Sequence, residues 1–337
     1  MKVGKGSFVY LGFALVIASV ALLSFSISRH DQASAQVASQ IARGRYLVTA
    51  GACAECHTQR KGGDPTVLDQ TKFLAGGERF DLPFGTIYSK NLTLDNETGI
   101  GTWTTDEIKK AIRDGLSKDG TKLVLMPWEV FHGMADSDLD AMAAYLKTVT
   151  PVKNAVPKAD LKAPRDGLYA DAAKAAAPLG PTSPPTLNPI DEGKYLTTYV
   201  LGCTGCHGAN LAGGTPPFFA PNLTPDDTTG LGKWAVTEIV TAIRTGVRPT
   251  GRPISPVMPI ATAFTNLTDS DATKVASYLK TLKPLNQPVR QPPGAPPASG
   301  PVTGDFSPSP YLLFGMAGVG LAMAMAGFVL RRRLKSR

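Results

Sequence analysis

Cysteine and histidine are scarce in this 337-residue chain, four of each, and aromatic residues make up only 7%. All four cysteines fall in two short runs, "CAECH" at 53–57 and "CTGCH" at 203–207. A zinc site wants four ligands, whereas each run offers three and has no second Cys pair nearby. A redox disulfide inside each pair leaves the histidine after both of them unexplained. A charge excess is also missing where a polyanion would need it. The formal charge is +8, yet Lys plus Arg against Asp plus Glu stands at 13 to 15 over residues 40–150 and 8 to 7 over 190–283. The surplus sits in the first 39 residues, in 151–189 and in the tail "RRRLKSR". Basic ends of this kind are an address rather than a binding face, so no nucleic-acid partner is expected. Strand patterns are few, and no sensor output domain is visible.

The ends carry long apolar runs. Lys2 and Lys5 precede "FVYLGFALVIASVALL", and "ASA" at 33–35 follows, the layout of a signal peptide cleaved after Ala35. An uncleaved anchor is the alternative, since the run nearly reaches the ~20 residues that span a bilayer. "YLLFGMAGVGLAMAMAGFVL" at 311–330, followed by Arg331, Arg332 and Arg333, reads as a transmembrane helix with its C-terminus in the cytoplasm. Either reading of the first run places residues 36–310 on the periplasmic side of the inner membrane.

The chain repeats itself. "GRYLVTAGACAECH" (44–57) matches "GKYLTTYVLGCTGCH" (193–207), "NLTLDNETGIGTWTTDEIKKAIRDG" (91–115) matches "NLTPDDTTGLGKWAVTEIVTAIRTG" (222–246), and "SDLDAMAAYLKTV" (137–149) matches "SDATKVASYLKTL" (270–282). Each unit carries three helical signals: apolar residues three and four apart before the Cys pair, a Thr- or Asp-capped segment ending at Gly115 or Gly246, and an Asp- or Ser-opened segment with Ala, Tyr and Leu on one face. The fold class expected is all-α, with so little apolar volume per unit that a large cofactor would help form the core. The Ala- and Pro-rich 151–189 reads as a connector packed over the surface with a helical turn near "YADAAKAAA", and the Pro-rich 284–310 as a stalk.

Cys-x-x-Cys-His is the attachment signature of c-type haem: Cys53 and Cys56, and Cys203 and Cys206, would each bind one porphyrin as thioethers, with His57 and His207 on the iron. Two covalently bound haem c groups are therefore expected. The sixth iron position separates electron transfer from ligand chemistry. Among "LVLMPWEVFHGM" (123–134), register with "SPVMPIATAF" sets Met126-Pro127 opposite Met258-Pro259 and leaves His132 and Met134 without counterparts. Met126 and Met258 are the axial candidates; His132 reads as a surface or packing residue, and Met142 as core. Soft thioether ligands favour ferrous iron and raise the potential.

These motifs resemble the class I cytochrome c modules of bacterial membrane-bound dehydrogenase cytochrome subunits, such as those of alcohol and gluconate dehydrogenases. The resemblance implies a three-helix cytochrome c fold, His57/Met126 and His207/Met258 ligation, and Asn91, Trp103, Asn222 and Trp234 around the haem propionates. Those subunits usually carry three modules; this chain has two. Its organisation reads as signal peptide 1–35, cytochrome c domain 36–150, linker 151–189, cytochrome c domain 190–283, stalk 284–310, transmembrane helix 311–330 and cytoplasmic tail 331–337. The function expected is one-electron transfer between a periplasmic donor, a dehydrogenase or quinol-oxidising complex, and a respiratory acceptor such as a terminal oxidase. The alternative is a dihaem redox enzyme of the peroxidase or thiosulfate-oxidising type. Unit one also has 33 residues between His57 and Asn91 where unit two has 14 between His207 and Asn222, a loop read as a docking surface or as decoration.

Overall fold

The computed structural model describes residues 31–288 apart from 65–66, 175, 187 and 215–218. Among the described residues no helix is long and apolar enough to cross a membrane. The apolar runs at 8–23 and 311–330 lie outside the described residues, as does the stalk from 289 onward.

Both units are helix-rich and follow one plan. In unit one, α1 (31–50) leads to α2 (Cys53–His57), then α3 (Thr105–Asp114), the single turn α4 (Trp128–Phe131) and α5 (Asp136–Leu146). After α6 (Arg165–Lys174) in the linker, unit two repeats the plan with α7 (Pro189–Tyr195), α8 (Cys203–His207), α9 (Val236–Thr245) and α10 (Asp269–Thr281). The first and last helices of each unit cross at a glycine. A Cβ on Gly44 would lie 1.8 Å from the Ala141 carbonyl oxygen, and one on Gly193 would lie 2.1 Å from that of Lys274. Only glycine lets the backbones approach so closely.

The helix starts are less uniform than the sequence suggests. Thr104 caps α3, its hydroxyl accepting from the Glu107 N–H while Glu107 reaches back to the Thr104 N–H. The cap of α9 is Ala235 rather than Thr237, so only the Glu238 half of that box exists. α5 likewise starts from Ala135 without a side-chain cap, its Asp136 lying in the first turn. The extra residue that "GKYLTTYVLG" holds over "GRYLVTAGA" is absorbed as a π-helical turn at Leu196–Val200, where the Leu201 N–H reaches back to the Leu196 carbonyl; in unit one the Gly51 N–H bonds Leu47 in the ordinary α pattern.

Two features depart from a purely helical reading. The long loop of unit one contains strands β1 (Arg79–Leu82) and β2 (Gly85–Tyr88), and the linker adds β3 (Asp160–Leu161) to form an antiparallel sheet. The linker also helps to cover unit one: the Tyr169 ring of α6 stacks on Trp128 at 4.8 Å, and Asp136 and Ser137 donate N–H bonds to Pro181 and Thr182. α6 starts earlier than the alanine run.

The units face each other reciprocally. The Tyr46 hydroxyl of unit one donates to Asp271 of unit two at 2.6 Å, and Tyr195 of unit two donates to Asp138 of unit one at 2.8 Å. In the repeat register Tyr46 corresponds to Tyr195 and Asp138 to Asp271, so one patch docks on its own counterpart about an approximate two-fold axis. Glu55, between the first two cysteines, accepts from Thr262, which follows Met258 by four residues. On the other side Val130, which follows Met126 by four, is the side chain nearest to where a Cβ on Gly202, beside Cys203, would lie.

Candidate functional site

Each Cys-x-x-Cys-His run forms a separate helical turn, α2 or α8, broken from the preceding helix by a left-handed residue. Unit two uses Gly202 (φ 60°) there, whereas unit one holds Ala52 at φ 56°, a conformation costing roughly 1 kcal/mol for a residue with a Cβ. Downstream, the left-handed Leu74 and Leu211, both φ 58° and buried, occupy equivalent places in "LAGG" at 74–77 and 211–214. Their carbonyls accept from Leu92 and Leu223, and the glycines two residues on donate to the carbonyls of His57 and His207. This short repeat, too brief to stand out in sequence, divides the additional length of unit one into a stretch before Leu74 and the β1–β2 hairpin after Gly77.

All four cysteines are free and half-buried. Burial pushes the thiols of Cys53, Cys56 and Cys203 up to about 12 and that of Cys206 to about 11. They are therefore neutral S–H groups at physiological pH. Such groups can add across vinyl double bonds to give thioethers, whereas a bare metal ion would demand thiolates. Among the described residues no three or more His, Cys, Asp or Glu side chains gather as a site for a bare ion.

The two histidines are held alike. Nδ1 of His57 lies 2.7 Å from the Lys90 carbonyl oxygen, and Nδ1 of His207 lies 2.8 Å from that of Pro221. A carbonyl can only accept, so Nδ1 carries the hydrogen and Nε2 keeps a lone pair free to bind a metal. Burial lowers the proton affinity of both imidazoles, keeping them neutral as ligands must be. Lys90 and Pro221 each precede the "NLT" run in its repeat, a sequence signal for this second layer of contacts.

Met126 and Met258 are partly buried against the core and share one local turn: the Trp128 N–H bonds the Met126 carbonyl at 2.8 Å, and the Ile260 N–H bonds that of Met258 at 2.7 Å. Pro127, with φ −78° and ψ 51°, is the centre of an inverse γ-turn in unit one. Met134 and Met142 are buried in the core. His132 is tied by Nδ1 to the Arg113 carbonyl at 3.0 Å and meets the Trp128 ring edge-on.

Asn91 and Asn222 are both fully engaged within the protein. Asn91 Nδ2 donates to Thr98 and to the Val152 carbonyl, and its Oδ1 accepts from the N–H and hydroxyl of Thr93; Asn222 does the same with Thr229, Leu285 and Thr224. With both amide hydrogens used, each locks its loop to the exit of the unit. Trp103 and Trp234 are half-buried against the core, and their backbone carbonyls accept from Lys147 and Lys280.

A duplicated set of paired thiols, a neutral imidazole with a bare Nε2 and a half-buried thioether matches the donor chemistry of a haem c protein. Residues 41–150 and 190–283 match the family model of cytochrome c, and the chain belongs to the cytochrome c family. It is 32% identical to the gluconate 2-dehydrogenase cytochrome c subunit of Pantoea cypripedii, over 77% of this chain and 63% of that one. It is 30% identical to the fructose dehydrogenase cytochrome subunit of Gluconobacter japonicus, over 72% and 52%. A diheme cytochrome c-type protein of Cereibacter sphaeroides is 27% identical over 80% of this chain and 96% of its own length. The chain thus spans between about half and two-thirds of the two dehydrogenase subunits.

Proposed function

We propose that the chain carries two haem c groups, one on Cys53 and Cys56 with His57 and Met126 as axial ligands, the other on Cys203 and Cys206 with His207 and Met258. In this reading it passes single electrons from a dehydrogenase or quinol-oxidising complex to a respiratory acceptor. Haem bound in these places would supply a one-electron couple. The chain's own part is positional. The carbonyls of Lys90 and Pro221 fix the tautomer and rotation of the imidazoles, and the two Met-Pro turns present the thioethers. No acid, base or nucleophile is needed for this task. Similarity to named dehydrogenase subunits supports a dehydrogenase as donor, and the apolar runs at both ends support a tether to the inner membrane with the haem units on its periplasmic side.

The observation that carries the reading is the matched pair of imidazoles, each committed through Nδ1 to the carbonyl of the residue before "NLT". The test is haem stoichiometry by pyridine haemochrome and intact mass, with two haems per chain expected. Met126→Ala and Met258→Ala should each remove the weak near-infrared Met-to-iron absorption of one haem, while His132→Ala retains both. Loss of a band in His132→Ala would overturn the ligand assignment.

A further inference from the structure

One titratable side chain takes no part in these sites. Glu129 is 1% exposed, and neither carboxylate oxygen has a hydrogen-bond partner. It lies in α4, the turn that follows Met126 and Pro127, and α4 packs on α3 and on the π-helical turn Leu196–Val200 of unit two. The titratable and charged groups on the surrounding elements are engaged elsewhere. Lys109 pairs with Asp136 and Asp140, Arg113 with Asp136 and Asp114, and Tyr169 donates to the Asp114 carbonyl. His132 bonds the Arg113 carbonyl, and Tyr199 stacks edge-on against Tyr195. An ionised carboxylate without a partner in such a place is costly, so burial raises its proton affinity, to about 7. The fold does not require the group, because Ala261 stands at the equivalent place after Met258-Pro259.

Resting on the haem reading above, we propose that Glu129 is a redox-linked proton site: it takes a proton from solvent when the haem beside it gains an electron and releases it when the electron leaves. Three residues of chain hold its Cα within roughly 11 Å of that of Met126. At about that separation a unit charge in an effective dielectric of about 20 changes a proton affinity by on the order of tenfold. The step balances as one electron from the one-electron donor and one proton from solvent, turning carboxylate into carboxylic acid. Oxidation reverses both transfers. The added positive charge on iron favours the carboxylate, so raising the pH stabilises the oxidised state and lowers the potential.

The test is potentiometric titration of the full haem-loaded chain from pH 5 to 9, with redox-difference infrared spectroscopy of the same sample. A haem potential is expected to fall as the pH rises through neutrality, by about 59 mV in total, the tenfold change in the redox equilibrium that this coupling allows. A protonated-carboxyl C=O band should grow on reduction. Glu129→Gln should flatten the slope and remove the band, and Glu129→Asp should keep a slope. Potentials flat with pH in the wild-type chain, a slope unchanged in Glu129→Gln, or no redox-sensitive carboxyl band would each overturn the proposal. The infrared result on wild-type protein decides even where a variant fails to load haem. A chain with two haems but no carboxyl signal refutes only this inference, whereas a chain without haem refutes the reading beneath it.

Discussion

At the scale of single residues, Asn91 and Asn222 show how much one side chain can organise. Each closes the "NLT" loop and ties it to the strand of chain leaving its unit, at Val152 or Leu285. The loop begins at the carbonyl that holds the candidate ligand histidine. Asn222→Ala leaves buried donors and acceptors unmatched and should lower stability by about 3 kcal/mol in denaturant unfolding. Haem attachment should persist, because thioether formation depends on the cysteines. An unchanged unfolding midpoint would show that the loop is held by other contacts. The ligand candidates themselves could be read from sequence, since Cys-x-x-Cys-His and Met-Pro recur in register. Glu129 could not, because nothing in "MPWEVF" distinguishes a solvated glutamate from a buried one; that difference is made by α3 and unit two closing over it.

Helices and loops transmit these constraints with unequal care in the two units. α3 has a complete capping box and α9 half of one, because Ala235 offers no side-chain oxygen. Ala235 already has the extended backbone of a cap, φ −69° and ψ 156°. Ala235→Thr should therefore raise the stability of unit two by about 1 kcal/mol, read as a higher denaturant midpoint; no gain would mean that α9 is anchored entirely by its packing face. Helix existence was plain from apolar spacing and from Gly115 and Gly246, whereas the start of α9 was misplaced by Thr237, which looks like a cap but lies inside the helix. The β1–β2–β3 sheet was hidden for another reason. Its strands are short, and the third comes from the linker, so no local alternation announces it. The one-residue difference before the second Cys pair was visible as a length mismatch, but its accommodation as a π-helical turn depends on backbone geometry.

At the scale of the whole molecule, the duplication is more than two beads on a string. The Tyr46–Asp271 and Tyr195–Asp138 pairs join residues far apart in sequence but equivalent in the repeat, a pattern that the register contains yet no motif reveals. The linker adds to this: β3 pairs with β2 and α6 lies on Trp128, so chain beyond Asp160 completes the surface of unit one. Lys158, just ahead of β3, is exposed. Limited cleavage after it is expected to yield two fragments on a denaturing gel that still co-elute as one particle under native conditions, with both haems retained; fragments that separate would refute the reciprocal docking. The tandem chain then amounts to a covalently joined homodimer whose halves have diverged, in which the peptide bond between them sets local concentration while the paired tyrosines set alignment. Such an arrangement lets each half tolerate mutations that would dissociate a free pair, and so provides room for the two repeated Cys-x-x-Cys-His sites to be tuned apart.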